Sequence, residues 1–169
     1  MQSHNNLSKQ IQNRKVTKIY HALVSGVIKN LDLINEKIGR HKINRKKMAI
    51  TDSGKESLSK IRVLRRYEKA SSLEVELITG RTHQIRVHLS HVGHPILGDK
   101  LYGFKKNIFQ KYPDILNLLD SDTSHALHAT SLEFKHPISN NTFKISCNKP
   151  ESFIKLENLI QENSYANTN

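Results

Sequence analysis

The sequence lacks most of what would mark a secreted scaffold, a membrane protein or a stacking platform. It has one cysteine, Cys147, in 169 residues. No disulfide can form within the chain, and a reducing compartment is its natural home. Tryptophan is absent, with five Phe and five Tyr, which argues against a broad aromatic surface for single strands. No apolar run approaches the ~20 residues a membrane span needs. The opening MQSHNNLSKQ holds no apolar h-region, so no signal peptide and no membrane partner are expected, and the expected location is cytoplasmic. Acidic residues are also scarce: 15 Asp and Glu stand against 27 Lys and Arg, a net charge of +12 and a pI near 9.9.

That basic excess points to a polyanionic partner, most often nucleic acid. The plainer alternative is a basic surface that maintains solubility. The length suits one domain, large enough to bury roughly 70% of its unfolded surface.

Periodicity sets out the elements. Leu7 and Ile11 are four apart, so Leu7 to Asn13 reads as the last turns of a helix. Val16 to Val24 is β-branched and aromatic and ends before Ser25-Gly26, a strand with Tyr20 in its middle. On pattern alone Tyr20 is either a packing residue or a functional one. Val27 to Gly39 reads as a second strand and a turn. Arg40 to Lys47 has five Lys or Arg in eight residues; it is either a solvated loop or, through Arg40, Arg45 and Lys46, a set of phosphate contacts. Met48 to Thr51 reads as a short strand. Ser57 to Tyr67 and Ser71 to Ile78 read as an antiparallel pair, with Leu73, Val75 and Leu77 alternating with Glu74 and Glu76.

From Thr79 the period changes. Ile85, Leu89 and Val92 form a helical stripe, with Thr82 as expected N-cap, Gly93 as its stop and Pro95 beyond. Arg86 lies ~100° around the axis from Ile85, at the stripe's edge, where a basic side chain can face a cleft. His83, His88, His91 and His94 raise a metal site, but no H-E-x-x-H is present and no cysteine is near, so no metal is expected. Pro95 to Gly103 reads as a turn with Gly98-Asp99 at its apex. A short helix is expected over Asp114 to Leu119, and a loop over Asp120 to Ser124. His125 to His136 and Thr142 to Cys147 read as another strand pair. There Cys147 alternates with Phe143 and Ile145, which reads as a small core residue. A final helix starts near Pro150, with Phe153, Leu156 and Ile160 on its apolar face.

Three segments together are more specific than any of these patterns. TGRTHQIRVHLSHVGHPILGDKLYG, from Thr79, resembles the C-terminal signature of the RluA-type RNA pseudouridine synthases. RKVTKIYHALVSG, from Arg14, resembles that family's K-x-Y-x-A-x-V strand, and LHATSLEFKHP, from Leu127, its later L-H-A-x-x-L-x-F-x-H-P strand. The resemblance implies an α+β fold, a long mixed and mostly antiparallel sheet flanked by short helices, with the active cleft across its middle. It implies isomerisation of uridine to pseudouridine in RNA, ribosomal RNA foremost, without cofactor or metal. By resemblance Tyr20 lies against the target uracil, and Arg86 pairs with the catalytic aspartate and lowers its pKa. Ile85 shields that pair from water. Arg81 and His83 would lie near the cleft mouth and touch the RNA backbone.

One family feature is missing. The catalytic aspartate belongs to an H-R-L-D-x-x-T-S-G motif upstream of the K-x-Y strand. None of the six aspartates here (Asp32, Asp52, Asp99, Asp114, Asp120, Asp122) follows Arg-Leu or precedes Thr-Ser-Gly. Asp99 sits in the family's G-D-x-x-Y-G turn, where a structural role is expected. The expectation is therefore that residues 1–162 form the C-terminal portion of a catalytic domain and residues 163–169 a disordered tail. The chain would be inactive alone and complemented by a chain carrying the N-terminal half. Otherwise it is a non-catalytic RNA-binding remnant or the product of a split gene. An unpaired sheet edge and exposed apolar surface should accompany this.

Overall fold

The structure is a computed structural model and describes residues 2–121 and 124–166. It opens with α1 (Gln2–Gln12) and the nine-residue strand β1 (Thr17–Ser25). The segment expected to be one strand and a turn is instead two three-residue strands, β2 (Leu33–Asn35) and β3 (Ile38–Arg40). They belong to different sheets: β2 pairs with β5 (Leu58–Arg66), and β3 with β4 (Met48–Ile50). Then come β6 (Ala70–Leu77), α2 (Gln84–His91), two 3₁₀ turns (Lys100–Tyr102 and Lys106–Phe109), α3 (Pro113–Ser121), β7 (Leu127–Lys135), β8 (Thr142–Ser146) and α4 (Glu151–Ala166).

The large sheet runs β2-β5-β6-β1-β7-β8. Its pairings are all antiparallel, so the expected mixture reduces to one sense. Tyr20 faces Val75 and Val75 faces Ile61, a cross-strand row on one side of the sheet. Ser59, paired with Leu77, shares that side because side chains alternate along each strand. There Ser59 Oγ meets His88 Nδ1 at 2.9 Å and accepts from Gln84 Nε2 at 3.0 Å, so α2 covers the side that carries Tyr20. The other side receives α4, where Ser72 Oγ donates to Glu157 at 2.7 Å and Lys149 Nζ donates to the same carboxylate at 2.7 Å. Ala22, Leu23, Val24, Leu73, Val75 and Leu89 are fully buried between these layers, and Phe153, Leu156 and Ile160 seal the α4 side as their spacing predicts.

Several expectations change at the margins. The histidine before α2, not Thr82, is its N-cap residue: His83 sits in the left-handed region at φ 55 and gives no side-chain cap. Gln84 ties the approach to the helix instead, its Oε1 accepting from Arg81 N at 3.0 Å and from Thr79 Oγ1 at 2.8 Å. Asp120 and Ser121 are helical, closing α3, while Asp122 and Thr123 lie outside the described residues. Cys147 is exposed, not a core residue. It follows β8, the last strand of the sheet, whose side chains are all exposed, and an alternating pattern buries a residue only where something covers that face. Leu132, Phe143 and Ile145 beside it are 37%, 50% and 49% exposed, the apolar surface and free edge that the sequence led one to expect. The segment expected as a tail is helical as far as Ala166; residues 167–169 lie outside the described residues. Asn163 Nδ2 donates to Leu159 O and Ser164 Oγ to Ile160 O, which extends α4 by another turn.

Gly98 joins the sheet to the turn that follows. Its φ is +82, and a Cβ there would stand 2.7 Å from the carbonyl oxygen of Ser124. Gly98→Ala should therefore cost about 1–3 kcal/mol through backbone strain and overpacking. The urea midpoint of the variant measures this, and an unchanged midpoint would contradict the close approach.

Candidate active site

The centre of the site is an ion pair between α2 and the turn after it. Arg86 Nε donates to Asp99 Oδ2 at 2.7 Å and Nη2 to Oδ1 at 2.8 Å, a two-pronged pairing. The side chains are 15% and 1% exposed. Asp99 also caps the 3₁₀ turn, accepting from Tyr102 N at 3.2 Å. The bond to Asp99 raises the pKa of Arg86 still further.

Tyr102 links this pair to its surroundings. The Arg86 guanidinium lies 4.7 Å from the centre of its ring, within cation–π range. The Tyr102 hydroxyl accepts from Met48 N at 2.9 Å and meets His83 Nδ1 at 2.8 Å. Burial, and after it the Arg86 charge, lower the pKa of His83. Burial also lowers His125, with Arg86 the next cause.

The structure thus brings Arg86 and His83 together around Tyr102, while Ile85 is buried in the main core. Tyr20 shares their side of the sheet, half-buried at the edge of the core. Arg40, Arg45 and Lys46 sit on the β3–β4 hairpin, tied to the group by the Met48–Tyr102 bond. Arg81 is held outside it, its guanidinium donating twice to Glu56 O at 3.3 Å. Of the histidines once considered together, His88 is buried against Ser59 and His94 Nδ1 meets Ser25 O at 2.8 Å. Tyr102 was missed by sequence reasoning. Its signal was Asp99 three residues before it, the spacing at which a capping side chain reaches a backbone N–H.

Comparison with known proteins gives the family. A family model described as RNA pseudouridylate synthase matches residues 1–91. The chain is 41% identical over 167 residues to the ribosomal large subunit pseudouridine synthase D of Pseudomonas aeruginosa, covering 98% of this chain and 52% of that protein. It is 39% identical over 165 residues to an uncharacterised RNA pseudouridine synthase of Aquifex aeolicus, covering 96% and 51%. Among solved structures, human RNA pseudouridylate synthase domain containing 1 superposes with a TM-score of 0.71 at 28% identity, over 92% of this chain and 63% of that one. The chain belongs to the RNA pseudouridylate synthase family, in its RluA-type branch. It spans about half the length of the curated relatives it matches.

Removing one partner of the ion pair leaves a largely buried charge unmatched. Asp99→Leu should destabilise the chain by about 3–5 kcal/mol, and the double variant Arg86→Met/Asp99→Leu by clearly less. Denaturant titration of the variants tests this, and equal losses would contradict the pairing. A second outcome concerns pH. Burial lowers His88, His83, His125 and His21 from the usual 6.5, so the unfolded chain takes up these protons at higher pH than the folded one. Their contribution is intact above the unfolded value and lost as pH falls below it toward the folded values. The urea midpoint should be lower at about pH 5 than at about pH 7.5; a higher midpoint in acid would reverse this reading.

Proposed function

We propose that this chain forms one half of the catalytic unit of an isomerase that converts uridine to pseudouridine in RNA, ribosomal RNA being the favoured substrate. The observation that carries the proposal is the buried Arg86–Asp99 pair on the same side of the sheet as Tyr20, in a chain of this family. Isomerisation breaks the bond from the ribose anomeric carbon to N1 of uracil and forms one to C5. C5 gives up its proton and N1 gains one, so no atoms are added or lost. The target must stand free of the helix stack for this. Tyr20 offers an aromatic face along which the freed base can turn. Asp99 takes Nε and Nη2 of Arg86 and so fixes the guanidinium plane, leaving the Nη1 donors outside that pairing. Those donors suit a second carboxylate, the nucleophile, which they would keep ionised. Asp99 is too deeply buried to reach an RNA substrate. None of the other five aspartates lies in an H-R-L-D-x-x-T-S-G motif, so the nucleophile would come from residues outside this sequence, in a longer chain or in a second one. Arg40, Arg45, Lys46, Arg81 and His83 would contact the RNA backbone.

A second reading is a non-catalytic RNA-binding protein, favoured by the net charge of +12 and the basic hairpin. Pseudouridine quantified by mass spectrometry after incubation with ribosomal RNA separates the two. The chain alone should form none. Adding a polypeptide that bears the H-R-L-D-x-x-T-S-G motif should restore product, and Arg86→Ala should abolish it. Product from the chain alone would overturn the external nucleophile, and none after complementation would favour the binding reading.

A further inference from the structure

Lys18 lies two residues before Tyr20 on the same side of β1, and the mechanism above does not use it. Together with Tyr20, Ala129, Leu132, Ile145 and Cys147 it lines an open hollow of about 270 Å³ at the β1–β7–β8 end of the sheet. That is near the ~300 Å³ at which small-ligand sites begin. Lys18 is the one charged residue of the lining; the rest is apolar or carries hydroxyl and thiol groups.

Its ammonium lies beside Gly80. A Cβ on Gly80 would stand 3.0 Å from Lys18 Nζ. Gly80 has no left-handed backbone, and with no side chain of its own it leaves space next to the ammonium. Lys18 is half-buried, and burial lowers its pKa. Among the described residues no carboxylate is within ion-pair distance of it, although Lys37, Lys60, Lys69, Lys106 and Lys149 all have one. A cation that loses part of its water without a protein anion is unfavourable until an outside anion arrives.

We infer that Lys18 binds a backbone phosphate of one unstacked nucleotide whose base lodges beside Tyr20, with Leu132 and Ile145 as the apolar wall. This rests on the RNA reading above and adds to it the residue that anchors the strand at the sheet. The ligand is a single-stranded or looped segment, because a paired base has no free face for the hollow.

The test is binding of the whole chain to a uridine-containing hairpin RNA, with the dissociation constant followed against potassium chloride. Each phosphate contact adds about 0.7–0.9 to the slope of log affinity against log salt. Lys18→Met keeps the apolar stem and should weaken binding and reduce the slope by about that amount, whereas Lys18→Arg should retain it. In the wild-type chain, saturating RNA should shield Lys18 from acetylation by an N-hydroxysuccinimide ester, read by peptide mass spectrometry. This second measurement decides the matter if Lys18→Met does not fold. A steep wild-type slope that folded Lys18→Met leaves unchanged, or undiminished labelling of Lys18 under RNA, overturns the assignment alone. A flat wild-type slope overturns the RNA reading and this inference with it.

Discussion

The two-pronged bond between Arg86 and Asp99 is the constraint on which the site depends. Arg86 comes from α2, and Asp99 from the turn that follows Gly98. The pair therefore sets how the helix sits against the turn. Burying two charges is costly, and the attraction between them offsets that cost only when both are well placed and otherwise satisfied. Asp99 meets the condition through Arg86 and the Tyr102 N–H. Such a pair is weak evidence for stability. Its value lies in direction, since it holds a guanidinium plane at one angle and prevents the side chain from swinging into solvent.

Tyr102 extends that constraint to two further elements. Its hydroxyl joins the start of α2, through His83, to the backbone of β4, through Met48. Its ring carries the Arg86 charge on its face and has Lys47 within 5.9 Å. The basic hairpin is thereby tied to the ion pair by one side chain. Polar networks of this kind are effective only when every member is satisfied. The left-handed backbone at His83 belongs to the same fit, because its imidazole lies within hydrogen-bond distance of the hydroxyl.

Most of the architecture could be read from residue patterns. The alternation of Leu73, Val75 and Leu77 with Glu74 and Glu76 specifies β6 and its buried side, and the spacing of Phe153, Leu156 and Ile160 specifies the face of α4. The pattern is silent on what covers a strand. Phe143, Ile145 and Cys147 alternate like a core strand yet are exposed, because β8 ends the sheet. Capping misled for a related reason: Thr82 has the right chemistry, but the chain enters α2 one residue later, at His83 in the left-handed region. The site was legible as Arg86 without its partner. Asp99 was read as a turn residue, which it is. That the same carboxylate also accepts from Arg86 depends on how a helix and a turn thirteen residues apart pack together, and no local pattern encodes that.

The sheet is covered unevenly, and this gives the candidate site its character. α2 and α4 close over β5, β6 and β1, whereas β7 and β8 keep apolar side chains in the open. Tyr20 and Lys18 stand on the border between these regions. A tyrosine deep in the core would have both ring faces occupied, and one on the open surface would be poorly held. At the border one side of Tyr20 packs on the core while the other is left for a partner. The same position half-strips Lys18 of water. Inside the border, Arg86 is paired with Asp99 through Nε and Nη2. Charge is thus paired in the interior, while at the margin Lys18 has no carboxylate within ion-pair distance among the described residues.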